Sequence, residues 1–412
     1  MMNNNQSFLI NLTLKAVTSL LLLVSIDSTF SSAAEPRLLD ENLKFEWSEN
    51  ASSVIAPVEQ MASYKPSHSK AQLEASIDGR MNRDDFIKSN SLGFRFNLLG
   101  ERSFSNDFTA LVDISFFFEN GNSSSLYVRD GDPKQEIKLF EAAIKYEVNP
   151  SINLKGGILP IRFSTMPSIF KTSGFLGFQQ NFQYKPSESK TGFIYSFSSS
   201  QSIPNASGRE EASGSERETP LLLLGSAEIK YKDKRWEYGV GYSQFGFSDL
   251  PDNIVSKSSL SGNTVVSPED DLSSFRYEFQ GWQANTDIEY TIDKKWELEL
   301  AATYIKNTRA PEGKNTGFSV TAGFDVNFGT YEIDNAFQFL YNERDTLPST
   351  YVSQTYGKNN RRAFSYKLVL ELPKERVDVY GQWVRTLEIE DLDFTADRNI
   401  FLFGIETLYD IL

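Results

Sequence analysis

The chain has no cysteine, a single histidine, and no apolar run beyond its N-terminal segment that approaches a membrane-spanning helix. Each absence excludes something. Without cysteine there is no disulfide framework and no thiolate chemistry. The one histidine, His68, sits beside Pro66 and Ser67 ahead of the first strand-like segment. That placement suits a solvated approach to the fold better than a catalytic pocket, where a general base must reach a nucleophile. No His/Cys cluster offers a metal site, and no glycine-rich phosphate or dinucleotide motif is present. The sequence therefore calls for no cofactor and points away from an enzyme. Basic charge is also short: 41 Lys and Arg stand against 55 Asp and Glu, a net charge of −14. With no basic patch, nucleic acid is not an expected partner. A helical membrane span needs about 18 or more apolar residues. The mean hydropathy of −0.38 excludes a bundle of such helices. It does not exclude a membrane β-barrel, where half of each strand is polar.

The N-terminus reads as a secretory signal. Lys15 precedes an apolar run from Ala16 to Ile26, and Ser32-Ala33-Ala34 supplies small residues for cleavage before Glu35. Residues 1–34 are thus expected to be removed on export. Residues 35–68 are a polar stretch, expected as a periplasmic leader and too small to plug a wide lumen.

From residue 69 to 412 the chain is rich in strand-forming residues. Sixteen stretches alternate apolar and polar side chains: 69–79, 90–99, 106–118, 136–148, 151–160, 177–185, 190–198, 220–232, 234–246, 274–292, 295–306, 316–328, 331–342, 362–372, 376–386 and 398–409. Phe318-Ser319-Val320-Thr321-Ala322 shows the pattern. The connections alternate too. One set is tight and built on turn formers, such as Asn149-Pro150, Asp293-Lys294 and Gly329-Thr330. The other is long and polar, notably 119–135, 199–219 and 247–273. A soluble sandwich would show the strand alternation but has no reason to sort its loops. The expectation is an all-β fold: a transmembrane antiparallel up-and-down barrel of about sixteen strands, with short periplasmic turns and long external loops. An even strand count returns both ends to the periplasmic side of an outer membrane.

With the apolar face turned to lipid, Leu92, Phe94, Phe96 and Leu98 point out, as do Phe140, Ala142, Ile144, Tyr146 and Val148, and Trp296, Leu298, Leu300, Ala302 and Tyr304. Trp236, Tyr290, Trp296, Tyr304, Tyr331, Tyr341, Trp383 and Tyr409 fall near strand ends, where interfacial girdles form. Expected inside are Arg95, Asp113, Glu141, Lys145, Glu147, Lys155, Lys230, Lys367, Asp287, Glu289, Glu297, Glu299 and Asp325. Glu228, Glu237, Glu332, Asp334, Glu371, Asp378 and Glu406 join them, so the lumen leans acidic. An acidic lumen concentrates cations. Asp287 and Glu289 share a face, but alternation produces such carboxylate pairs by default and does not imply acid–base chemistry.

One long connection breaks the polar rule. Residues 161–176, Ile161-Arg162-Phe163 through Ile169-Phe170-Lys171 to Phe175-Leu176, are apolar and contain Arg162 and Lys171 but no acidic residue. The glycine-rich strand Lys155-Gly156-Gly157-Ile158-Leu159-Pro160 leads into it. This pattern resembles bacterial outer-membrane porins of the sixteen-stranded kind, including their phosphate-selective relatives. The resemblance implies that this third external loop folds into the barrel and narrows it, with Arg162, Lys171, Phe163 and Phe170 at the constriction. In porins the loop is often acidic and the wall basic; here the polarity is reversed. The last strand, with Phe401, Phe403, Ile405, Thr407 and Tyr409 alternating, also resembles a signal read by the barrel-assembly machinery, although Asp410-Ile411-Leu412 follow the final aromatic residue.

The expected function is passive diffusion of small hydrophilic solutes or ions across the outer membrane. The partners expected are lipid, the assembly machinery and solutes; the sequence leaves a monomer and a homotrimer both open. A substrate-specific channel and a non-conducting structural or adhesive barrel are the alternatives.

Overall fold

The computed structural model describes residues 69–83, 88–124, 135–163, 169–186, 191–204, 219–259, 261–266, 274–353, 355–392 and 397–410. The signal-like segment, the leader, His68 and the chain's last two residues lie outside the described residues. So do the middle of the apolar loop and most of the stretch between the seventh and eighth strands.

Among the described residues, sixteen strands close into one antiparallel barrel. They are β1 (Ser69–Arg83), β2 (Lys88–Ser103), β3 (Phe108–Ser124), β4 (Gln135–Asn149), β5 (Ile152–Ile161), β6 (Ser173–Tyr184), β7 (Gly192–Ile203), β8 (Leu221–Lys232) and β9 (Trp236–Ser248), followed by β12 (Phe279–Thr291), β13 (Trp296–Asn307), β14 (Thr316–Asn327), β15 (Glu332–Asn342), β16 (Arg361–Leu372), β17 (Val377–Glu388) and β18 (Arg398–Asp410). Between β9 and β12 lie a short helix, α1 (Asp252–Ser259), and a two-residue ribbon of β10 (Val265–Val266) with β11 (Ser274–Phe275). Each strand pairs with its chain neighbour, and β1 closes the ring on β18 from Gln72 opposite Asp410 to Arg83 opposite Asn399.

The short connections are local turn chemistry. Asp233 Oδ1 accepts from the backbone N–H of Arg235 at 2.7 Å and of Trp236 at 2.9 Å. Asp293 repeats this with Lys295 at 2.7 Å and Trp296 at 3.0 Å. At Asn327 the side chain accepts from Gly329 N–H at 2.6 Å, and Gly329 supplies the positive φ of 83°. Such side-chain turns set the register of the strand that follows.

Register decides the faces. Along β13, Trp296, Leu298 and Leu300 are 36–43% exposed, whereas Glu299, Ala301, Thr303 and Ile305 are 0–8% exposed. The outer face is greasy around the ring, with Phe94, Ile144, Phe178, Val240, Phe337, Phe364 and Ile405 all outward. Two aromatic lines border it. On the short-turn rim Phe193 meets Tyr231 at 4.9 Å, Tyr231 meets Tyr238 at 5.0 Å, and Trp236 stacks on Tyr290 at 4.1 Å. Toward the other rim run Tyr242, Trp282 and Tyr304, then Phe318 and Tyr341. Trp296 and Tyr304 are eight residues apart on one strand. That is about 27 Å along the strand, or about 20 Å along the barrel axis at a tilt of about 40°, close to the apolar band of outer-membrane barrels.

The strand assignments read from the sequence differ from the structure in several places: β3 runs on to Ser124 and β7 to Ile203, into the stretches 119–135 and 199–219 expected as loops, because both keep pairing with a neighbouring strand. Phe140 does not continue the outward row: a β-bulge falls there, with Glu141 opposite Asp113 and Leu139 opposite Ile114. The extra residue flips the face, so Ile137 and Leu139 become outward on the far side of Phe140. The segment 274–292 is two elements, since Ser274 and Phe275 pair with β10 and the barrel strand starts at Phe279. The apolar loop ends earlier than expected, because β6 begins at Ser173 and takes in Phe175.

For a band that faces acyl chains, Leu300→Arg is expected to cost about 2–4 kcal/mol. Denaturant titration of the barrel refolded into lipid vesicles measures this. A cost below about 1 kcal/mol would put the band in water.

Candidate functional site

Sixteen strands about 4.8 Å apart, tilted by about 40°, make a backbone ring roughly 32 Å across. What fills that ring is therefore what the barrel can do. The inward side chains grade in character from one rim to the other. Up β9 they run Glu237, Gly239, Gly241, Ser243, Phe245, Phe247; up β13, Glu297, Glu299, Ala301, Thr303, Ile305; up β15, Glu332, Asp334, Ala336, Gln338, Leu340. β8 repeats it with Glu228, Ser226, Leu224 and Leu222. The short-turn half of the lumen is charged, the middle small and polar, the long-loop half apolar.

The apolar half is covered by loops that fold inward. In the loop after β5, Phe163, Ile169 and Phe170 are buried. Phe163 stacks on Phe170 with centroids 4.1 Å apart and on Phe245 of β9 at 5.0 Å. Ser243 of the same strand donates to the Phe163 carbonyl at 2.6 Å. The loop between β15 and β16 meets it from the other side. Phe170 and Val352 form an antiparallel bridge, Lys171 N–H donates to Tyr351 O at 2.8 Å, and Ser353 N–H donates to Ile169 O at 2.9 Å. Tyr351 packs edge-on to Phe175 at 5.2 Å and flat on Phe247 at 5.7 Å. The β9–β12 connection adds Ile254 from α1 to the same hydrophobic cluster.

Above this core lies a layer of polar caps, the other requirement for burying loops, since an unpaired buried carbonyl or amide is costly. Asn263 Nδ2 donates to Arg344 O at 2.8 Å and Leu347 O at 3.0 Å, and its Oδ1 accepts from Ser349 N–H at 2.7 Å. Asp345 accepts from Thr264 N–H at 2.8 Å and Thr264 Oγ1 at 2.7 Å. Burial lifts the Asp345 carboxyl above the ordinary range, and these donors pull it back. Asn359 Nδ2 donates to Leu347 O at 2.7 Å, and Asn342 donates to Asn359 at 2.7 Å. Gly262, at φ +107°, lets the two loops touch, since a Cβ there would lie 3.0 Å from the Asn359 carbonyl oxygen.

Of the four residues expected at a constriction, Phe163 and Phe170 seat the loop on the wall. Arg162 is exposed and Lys171 half-buried. Burial pulls the Lys171 ammonium below the usual lysine range, with Glu136 acting in the opposite sense. The apolar loop was legible as an exception. Its partner, residues 343–360, was not: it reads as polar and ends in Asn359-Asn360, whose amides turn out to cap backbone carbonyls. The signal that could have found it is the inward row of the strands. Leu221-Leu222-Leu223-Leu224 is apolar on both faces, which a water-filled lumen does not need.

The charged half divides into two walls. Toward β1–β5, Arg95 lies 3.6 Å from Asp78 and 3.3 Å from Glu406, Lys155 donates to Glu141 at 3.0 Å, and Lys145 reaches Glu147 at 2.6 Å. Asp113 stands opposite Glu141 on this side. From β9 to β18 the wall is different. Directly opposite one another stand Glu237 and Glu289, Glu289 and Glu299, Glu297 and Asp325, Asp325 and Asp334, Glu332 and Glu371, Glu371 and Asp378, Asp378 and Glu406. Like charges directly opposite are destabilising in a sheet. At about 4 Å two such charges repel by about 1 kcal/mol in bulk water and about 4 kcal/mol at an effective dielectric of 20. Among the described residues, no Lys or Arg nitrogen lies within 4.0 Å of Asp287, Glu289, Glu297, Glu299, Asp325 or Asp334. No group of three or more Asp, Glu, His or Cys among the described residues is placed to hold a metal ion.

No family model matches the chain, and no curated protein matches it. Solved structures with a similar chain path include OmpTΔL8, a loop-deletion mutant of an outer membrane protein of Vibrio cholerae, at 8% identity, covering 84% of this chain and 99% of that one, with a TM-score of 0.47. OccAB1 of Acinetobacter baumannii follows at 11% identity, 84% and 97% coverage and a TM-score of 0.47. A mutant of the Rh. blastica porin follows at 10% identity, 83% and 100% coverage and a TM-score of 0.45. The fold is a closed barrel of sixteen antiparallel strands, and what it does has to be read from its own residues.

Removing the Phe170 ring should cost about 3–5 kcal/mol, as for other buried aromatics. Loss of the Ser243 hydroxyl should cost about 1 kcal/mol. Denaturant unfolding of Phe170→Ala and Ser243→Ala reads both. Limited trypsin digestion should cut after Arg162 and Lys171 faster in Phe170→Ala than in the unsubstituted protein; equal cutting rates would mean that the ring does not seat the loop.

Proposed function

We propose that this chain is an outer-membrane diffusion channel for small hydrophilic solutes or ions, selective for cations, with the loop after β5 narrowing its lumen. The observation that carries the proposal is the pairing of two opposite surfaces in one closed wall. Outside is a continuous apolar band edged with aromatics. Inside, the short-turn half carries carboxylates that no packed interior would tolerate without partners. Water in the lumen removes that cost, and a membrane outside removes the need for a second sheet. Transport of this kind needs width, charge and a field at the narrowing, not a catalytic group.

In this reading Arg162 and Lys171 stand on the loop side of the passage and the β9–β18 carboxylates on the other, which sets a transverse field that favours polar solutes. The inward charged residues, from Arg95 and Asp113 round to Asp325, line the route. Phe401, Phe403, Ile405 and Tyr409 face outward on β18, where the assembly machinery would meet them. Insertion as a homotrimer is part of the same proposal.

A second reading, a solute-specific channel, has one observation in its favour. Side chains of three long connections pack in one apolar cluster with residues of the inward rows, such as Phe245 and Phe247.

Planar-bilayer recording of the full chain tests both. The first reading expects stable conductance steps and a reversal potential in a salt gradient that marks cations as the more permeant ions. Phe163→Ala with Phe170→Ala is expected to raise the single-channel conductance, and Arg162→Ala with Lys171→Ala to shift the reversal potential further toward cations. A silent barrel would overturn the channel reading and favour a structural role. Block of the current by a solute at micromolar concentration would favour the second reading.

A further inference from the structure

We propose that the outer face of β16, β17, β18, β1 and β2, just past the apolar band toward the long-loop rim, is a docking surface for anionic lipid headgroups. These five strands are consecutive neighbours in the ring. Three observations on the outside of the wall lead there. The first is sign. The chain holds 55 Asp and Glu, yet the outward rows of the barrel strands carry none of them. The charged residues that do face outward are basic. Toward the long-loop rim they gather on one arc, with Arg362 on β16, Arg385 on β17, Arg83 on β1 and Lys88 on β2; Lys306 on β13 stands apart. The outward rows of β5 to β9 carry no charge of either sign. A rim that only had to stay wet would need neither one sign nor one arc.

The second observation is depth. Arg385 lies two residues past Trp383, and Arg83 two residues past Met81, about 6.6 Å along each strand. Trp383 and Met81 belong to the exposed apolar face, so the two guanidinium groups stand where hydrocarbon gives way to headgroups. The third is pairing. Arg385 is directly opposite Asn399, Asn399 opposite Arg83, and Arg83 opposite Lys88. Like charges opposite one another gain nothing within a sheet. On the inner face the same strands give their cations carboxylates: Arg361 lies 3.5 Å from Glu388, and Arg95 3.3 Å from Glu406. Arg83 and Arg385 are exposed, and among the described residues no carboxylate oxygen lies within 4.0 Å of either.

The chemistry of the row selects the occupant. Arginine presents a planar fork of donors that matches a phosphate. The strands of Arg83 and Arg385 are two spacings apart, about 9.6 Å, with Asn399 between them. Two long side chains can close on one headgroup phosphate with the amide between them. A zwitterionic headgroup carries its own ammonium and competes with the arginines; a net anionic one does not. The proposal rests on the membrane reading of the outer face.

The test refolds the full chain into vesicles of equal parts dioleoylphosphatidylglycerol and dioleoylphosphatidylcholine, releases it in detergent and weighs it intact with its retained lipid. A basic residue near a charged membrane surface contributes about a fivefold preference. Phosphatidylglycerol should therefore be retained at least fivefold over phosphatidylcholine. Arg83→Gln combined with Arg385→Gln should bring that ratio below twofold. Lys294→Gln with Lys374→Gln, which removes two exposed charges from the short turns, should leave it within twofold of the unsubstituted chain. Unheated gel mobility verifies that each variant closes, and Arg362→Gln with Arg385→Gln gives a second pair on the same arc. Equal retention of the two lipids, or a preference unchanged in both arginine pairs, overturns the proposal. Displacement of the lipid by excess inorganic phosphate would make the row a site for free anions and also overturn it. A chain that does not enter vesicles removes the membrane reading and this surface together. One that enters them without a headgroup preference removes this surface alone.

Discussion

The rest of the molecule depends on the hydrogen bonds that join β1 to β18. A sheet with open edges leaves a row of N–H and C=O groups without partners, and in hydrocarbon each costs several kcal/mol. Pairing from Gln72–Asp410 to Arg83–Asn399 removes both edges at once. Once the ring is closed, every strand has one face out and one face in, and alternation in the sequence becomes separation in space. Leu300 and Glu299, adjacent in the chain, end up on opposite sides of a wall.

Closure also sets the problem that the loops solve. A ring of this width cannot be filled by the side chains of its own strands. Toward the long-loop rim, Phe163, Phe170, Tyr351 and Ile254 pack with Phe245, Phe247 and Leu222 in one hydrophobic cluster. Bringing loop backbone into that space requires partners for its amides and carbonyls. Asn263, Asn307, Asn342 and Asn359 supply them, donating to the carbonyls of Leu347, Asp345, Lys358 and Leu347 in turn. The apolar cluster and the amide caps together join three connections distant in sequence.

The short-turn half is governed by electrostatics rather than packing. Carboxylates there are aligned by the same register that aligns the outer aromatics, because both follow from turns such as Asp233–Trp236 and Asp293–Trp296. Each of those turns ends on a Trp that faces out, and a Glu follows inward. The turn therefore places the girdle and the carboxylates together.

By itself the sequence determined what is local and periodic. Alternation marked the strands, turn formers marked one rim, and the assignment of faces from Glu297 to Tyr304 follows from a period of two. It also marked one loop, because apolar residues in a connection violate the reason loops lie in water. It did not reveal the bulge at Phe140, since a single extra residue in an apolar stretch leaves no mark on composition. Nor did it show that Ile169-Phe170-Lys171 meets Tyr351-Val352-Ser353, or that Glu289 stands between Glu237 and Glu299. Those facts are long-range: they depend on which strands become neighbours and on how far each slides past the next. Only the closed ring decides that, because closure fixes all sixteen registers together while the period of two constrains each strand alone.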